Sequence, residues 1–145
     1  YKRQCLTLPA SPPWLARLWR GTQVDNSVTI LIVRTLGLML AGAWFTLCGH
    51  DVSWPLEPCR FDLLVVLEKP VKIQVKTAGS DEQNLGRADL QLGTERRIYD
   101  PDEIDYFFIV DGNLDYYLIP VAVVGGFHVI HLSAYAHHRL PQLEA

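Results

Sequence analysis

Two hydrophobic rhythms organise the chain. From Ser27 to Cys48 the sequence SVTILIVRTLGLMLAGAWFTLC is apolar almost throughout and ends in Gly49-His50-Asp51. That run predicts one long helix with glycine just past its cap. Asp25-Asn26-Ser27 supplies N-cap chemistry at its start. Further along, Val71, Ile73 and Val75 alternate with Lys72, Gln74 and Lys76. Period-two alternation predicts a strand over 71–77 with one apolar face. RFDLLVVLE, from Arg60 to Glu68, predicts a second strand, and Lys69-Pro70 turns it into the first as a hairpin.

The remaining elements are shorter. Val52 and Trp54 suggest a brief strand before the hairpin, whereas AGSDEQNLGRADLQLGTERR keeps no period and reads as a mobile loop. Asp100 and Pro101 fit the N-cap and first position of a single helical turn. Tyr106 to Val110 and Tyr116 to Pro120 read as strands joined through Asp111-Gly112-Asn113, a hairpin signal. FHVIHL predicts a final strand, followed by a short helix. The expected fold is α/β: a mixed β-sheet of four or five strands flanked by helices, the long first helix packed on it. At 145 residues one domain is expected over 25–145, with residues 1–24 as an N-terminal arm.

Charge and cysteines narrow the function classes. The formal net charge is −3, so no chain-wide basic field announces nucleic acid, and any DNA contact must be local. Cys5, Cys48 and Cys59 cannot all pair and match no zinc spacing, which favours a reducing, cytoplasmic setting. His128 and His131 are expected on opposite faces of a strand, and the adjacent His137 and His138 are expected to diverge. No pattern supports a serine or cysteine nucleophile, and there is no glycine-rich phosphate loop. Ser27 to Cys48 is long enough to span a membrane, but Arg34, Thr29, Thr35 and Thr46 interrupt it. A packed helix is the reading, with a membrane-anchored head as the rival.

The chemistry centres on Asp62. An acid beside Leu63, Leu64, Val65 and Val66 is costly to bury without a partner. Across the hairpin it can face Gln74 and Lys76. A carboxylate, an amide oxygen and a lysine there can hold a divalent cation and position a water. The plainer alternative is an Asp–Lys ion pair across the hairpin. The acids Asp100, Asp102, Glu103 and Asp105 read as helix-turn capping and structure rather than a metal loop. Tyr106, Phe107, Tyr116 and Tyr117 read as core and cross-strand pairs.

FDLLVV followed by IQVKTA, and later YDPDEIDYFFIV and YYLIP, resembles the PD-(D/E)XK nuclease superfamily. The branch it is most similar to is that of intron homing endonucleases and proteins likened to Holliday-junction resolvases. The resemblance covers about His50 to Pro120 and implies a restriction-endonuclease-like core. It implies a Mg²⁺ (or Mn²⁺) endonuclease with Asp62 and Gln74 at the metal and Lys76 at the attacking water or the transition-state charge. Glutamine at the middle position is itself a feature of that branch. The family usually adds a Glu from the first helix. Val28 to Cys48 contains no acid, and Glu57 is the candidate substitute. The resemblance also implies double-stranded or branched DNA as partner and a homodimer or homotetramer. Lys72, Arg87, Arg96 and Arg97 are the candidate DNA contacts; the plainer alternative is a solvated Lys72 and an ordinary charged loop in which Asp81, Glu82, Asp89 and Glu95 are interspersed. A catalytically inactive DNA-binding or regulatory protein of the same fold is the alternative.

Overall fold

A glycine ends the first helix as its sequence predicts. In the computed structural model, α1 spans Asn26–Leu47 and closes with Gly49 at φ 84°. The Gly49 N–H donates to the Thr46 carbonyl and the His50 N–H to the Phe45 carbonyl, each at 3.0 Å. Those two bonds satisfy carbonyls that the helix leaves without partners. The structure describes residues 26–78, 86–90 and 98–142, with side chains from Val33 onward. The arm 1–24, Asp25, Arg96 and Arg97 lie outside the described residues.

Five strands form the main sheet: β1 (Asp51–Ser53), β2 (Leu63–Val66), β3 (Pro70–Thr77), β5 (Tyr106–Val110) and β6 (Tyr116–Pro120). Their order is β1-β2-β3-β5-β6. The β1–β2, β2–β3 and β5–β6 pairs are antiparallel, and β3–β5 is parallel, so the sheet is mixed. The predicted hairpin of β2 and β3 is present, with Leu63 opposite Ile73. β2 is shorter than its sequence run, and Asp62 sits immediately before it.

The stretch expected to be a loop after β3 contains a strand. β4 (Arg87–Asp89) pairs antiparallel with β7 (Val129–His131) in a small second sheet. Three residues are too few for a period to show, and the partner comes from far along the chain. A bridge between Ala78 and Ala88 brings β4 onto the end of β3. The crossover from β3 to β5 also includes the turn at Asp100, where the Asp102 N–H donates to Asp100 Oδ1 at 2.9 Å and the Glu103 N–H to the Asp100 carbonyl at 2.9 Å. Asp105 then locks β5 beside β3, accepting the Lys72 N–H at 2.7 Å through its side chain and donating its own N–H to the Lys72 carbonyl at 2.9 Å.

Both faces of the sheet are covered. On one, α1 buries Ala41, Trp44 and Phe45 against Leu63, Val65, Ile73, Val75 and Phe108. Gly37 allows the close approach: a Cβ there would meet the Thr77 methyl at 2.9 Å. On the other, β4, β7, α2 (Val121–Val124) and a 3₁₀ helix (Leu132–His138) cover Phe107, Ile109 and Ile119. The face bearing Lys72, Gln74 and Lys76 is therefore not an open polar surface, and Gln74 is only 5% exposed. Among the described residues no helix is long and apolar enough to cross a membrane. His137 and His138 do not diverge: the 3₁₀ helix is kinked at Tyr135, and their rings lie 4.2 Å apart.

Candidate active site

Asp62 is held by the strand it faces. Its backbone N–H donates to the Ile73 carbonyl at 2.9 Å, which extends the β2–β3 ladder by one step. This places its side chain against Gln74. One carboxylate oxygen, Oδ2, accepts both the Val75 N–H at 2.8 Å and the Gln74 side-chain amide. The cost of half-burying a carboxylate here is offset by those donors. Burial raises the Asp62 pKa above 3.8, with the Val75 hydrogen bond, the charges of Lys76 and Arg34, and the Gln74 bond opposing the rise.

Lys76 lies two residues beyond Gln74 on the same face. Its ammonium sits 5.1 Å from the centre of the Tyr99 ring, a cation–π arrangement. Burial, then the charge of Arg34, lowers its pKa from 10.5 to about 8, against Asp62 and Asp89. Tyr99 is itself buried, and burial followed by the Asp62 charge pushes its hydroxyl up to about 12. It is thus a neutral wall of the site at ordinary pH.

The other predicted residues divide. Glu57 is exposed and lines the same cleft as Asp62, a space of about 340 Å³ bounded also by Leu38, Trp54 and Phe61. Lys72 is half-buried, and its ammonium donates to the Asp102 carbonyl at 3.2 Å, toward the acidic turn. Arg87 is exposed on β4. The fold thus brings Asp62, Gln74 and Lys76 together, puts Glu57 beside Asp62, and leaves Lys72 facing its own turn.

Three residues were not singled out for the site from sequence. Tyr99 carried no signal beyond its place before Asp100. Asp89 falls in a stretch that reads as a loop, but β4 brings it close enough for its field to act on Lys76. Arg34 did carry a signal, as the sole charge in the 22 residues of α1. Its direction could not be read until the helix was seen on the sheet.

Among the described residues no three His, Cys, Asp or Glu side chains gather as a metal cage. The donors present are nevertheless of one kind: the oxygens of Asp62 and Glu57, and that of Gln74 if its amide makes a half-turn. This sparse oxygen set suits a hard cation that keeps waters and takes the rest of its ligands from a phosphate.

The sequence matches no family model and no curated protein. Among solved structures the chain is similar to the bacterial homing endonuclease I-Ssp6803I, with a TM-score of 0.59 and 20% identity over 77% of each chain. The mixed α/β architecture is therefore one that a homing endonuclease also adopts.

Proposed function

We propose that this protein is a metal-dependent DNA endonuclease that hydrolyses phosphodiester bonds in double-stranded or branched DNA. The observation that carries the reading is the Asp62 carboxylate clamped between Val75 and Gln74, with the Lys76 ammonium on the next inward position of β3. The fold shared with a homing endonuclease supports it.

Asp62 and the Gln74 amide oxygen, with Glu57 from the cleft wall, would hold Mg²⁺ or Mn²⁺. When bound, such a cation supplies charge stabilisation for the leaving oxyanion and acidifies a water. The protein's own groups do the rest. Lys76, steadied over Tyr99, offers its ammonium to a phosphate oxygen or to the attacking water, in a site where partial burial strengthens the interaction. Tyr99 excludes bulk water from one side. Val75 and Gln74 fix the direction of Asp62. DNA-contact roles for Lys72, Arg87, Arg96 and Arg97 belong to the same proposal and would set affinity rather than sequence choice. An apolar stripe on α1, with Val33, Leu36, Met39 and Leu47 all exposed, offers a homodimer or homotetramer a surface to bury.

The test is cleavage of supercoiled and four-way-junction DNA with Mg²⁺ or Mn²⁺. Cleavage abolished by EDTA and by Lys76→Ala supports the proposal. DNA binding without cleavage of either substrate overturns it in favour of a catalytically inactive binding protein. That second reading has an observation of its own: α1 delivers a cation, not a carboxylate, to the neighbourhood of Asp62.

A further inference from the structure

The sheet-facing stripe of α1 continues past the part that is buried. Phe45 and Ala41 are buried on the sheet, and Leu38 is half-buried and lines the Asp62 cleft. These positions follow one another at three- and four-residue steps, the spacing of one helical face. The next position on that face is Arg34, one turn or about 6 Å beyond Leu38. Gly37, in the same turn, is pressed on Val75 and Thr77, the neighbours of Lys76 in β3. Arg34 therefore leaves the helix on its sheet side, one turn past a residue that lines the Asp62 cleft and beside the turn that packs on the end of β3.

We propose that Arg34 is a phosphate-contacting residue of this site, reaching from the exposed end of the α1 stripe to a nonbridging oxygen of the phosphodiester presented to Lys76. The inference rests on the nuclease reading and adds the group that orients the substrate. A guanidinium can meet two phosphate oxygens at once, whereas the lysine acts as a single point of charge. Together they form a two-sided clamp, one cation from the helix and one from the strand.

The electrostatics of the site agree with that placement. Its charge acts on Asp62, Lys76 and Tyr99, three groups carried by separate segments of the chain. It is exposed, and its side chain has no hydrogen bond or ion pair among the described residues. A guanidinium whose field reaches a neighbouring lysine adds to a local positive charge that favours an anion. Contrast Arg60, whose guanidinium lies 3.5 Å from Glu103 and is already engaged.

The probe is thymidine 5′-(p-nitrophenyl phosphate), which carries one phosphodiester. It is titrated in EDTA into the full chain while the backbone amide resonances of Val75 and Lys76 are followed. The wild type should bind with shifts at those amides. Arg34→Ala should weaken binding about tenfold, as loss of a charged hydrogen bond does, and Arg34→Lys should recover part of it. Lys69→Ala, at the far β2–β3 turn, should bind as the wild type does. Equal affinity in Arg34→Ala, or no shifts at Val75 and Lys76 up to millimolar probe in the wild type, overturns the proposal. Cleavage of supercoiled DNA with Mg²⁺ is measured on the same proteins. Probe binding that depends on Arg34 without cleavage would sink the nuclease reading and leave the phosphate clamp standing. Wild-type cleavage with unchanged probe affinity in Arg34→Ala would do the reverse.

Discussion

A single oxygen of Asp62 accepts both the Val75 backbone N–H and the Gln74 side-chain amide. The strand opposite therefore fixes the carboxylate twice, once by main chain and once by side chain. Replacing the amide by a second acid inverts that relationship. In Gln74→Glu two carboxylates meet in a site that is 5% exposed on the Gln74 side. Like charges so close cannot both ionise without penalty, so stability at pH 7 should fall by about 2 kcal/mol. Mg²⁺ or Mn²⁺ should restore most of it. Thermal unfolding with and without the cation checks this, and a loss that the cation does not reverse would count against a metal at Asp62.

Lys76 makes stability depend on pH in a defined direction. Its folded pKa of about 8 lies below the ordinary 10.5. As pH falls, the unfolded chain takes up this proton first, so the stability the group confers is present above 10.5 and lost as pH falls through about 8. Removing the charge removes the loss. Lys76→Met should be more stable than the wild type at pH 7 by about 1–3 kcal/mol, with the gap narrowing as the pH approaches 10.5. Urea unfolding at both pH values would show it, and an equal gap at both would falsify the assignment.

The β5–β6 turn carries strain that can be removed. Leu114 has φ 62°, in the region that favours glycine, and the residue is 58% exposed. The Asp111 carboxylate organises the turn around it, accepting the N–H groups of Asn113 at 2.8 Å and Asp115 at 2.9 Å. Leu114→Gly should stabilise the fold by about 1 kcal/mol, since a branched residue in that conformation costs about that much. A lower midpoint of denaturation in the variant would mean that Leu114 contributes more by packing than it loses in strain.

Two glycines of α1 should respond oppositely to alanine. At Gly37 the new Cβ would meet the Thr77 methyl at 2.9 Å, on the strand that carries the site. At Gly42 it would meet the Trp54 ring at 2.7 Å, but Trp54 is 49% exposed and its ring can swing away. Both gain about 1 kcal/mol in helix propensity. Gly37→Ala should nonetheless destabilise by about 1–2 kcal/mol through overpacking. Gly42→Ala should be neutral or better, while moving Trp54 in the wall of the Asp62 cleft. Paired denaturation curves, with tryptophan fluorescence for the second variant, separate the two.

The helix, the β2–β3 hairpin and the β5–β6 pair were legible because each is long enough to display its period. So was the meeting of Asp62 with Gln74, since hairpin register follows from alternation. Alternation tells which residues share a face but not whether that face is covered, and for this reason the burial of Gln74 was missed. The layer over that side of the sheet includes Tyr99, β4 and β7, segments too short or too aperiodic to announce themselves. Arg34 stood out as a lone charge in an apolar helix, but its reach depends on how α1 crosses the sheet, a tertiary fact. Asp89 needed the β4–β7 pairing before it could be placed at all.

The pairing of β4 with β7 joins Arg87–Asp89 to Val129–His131, and it also sets an order of assembly. During synthesis α1 and all five strands of the main sheet leave the ribosome before β7 does. Until it arrives, Phe107, Ile109 and Ile119 form part of a sheet face that lacks β7 and the 3₁₀ helix from its covering layer. A nascent chain stalled there would present an apolar sheet face to its surroundings, a species prone to self-association and a substrate for chaperones. The wall behind Lys76 would thus be among the last parts to close, so folding would be finished from the same side on which the chemistry is proposed.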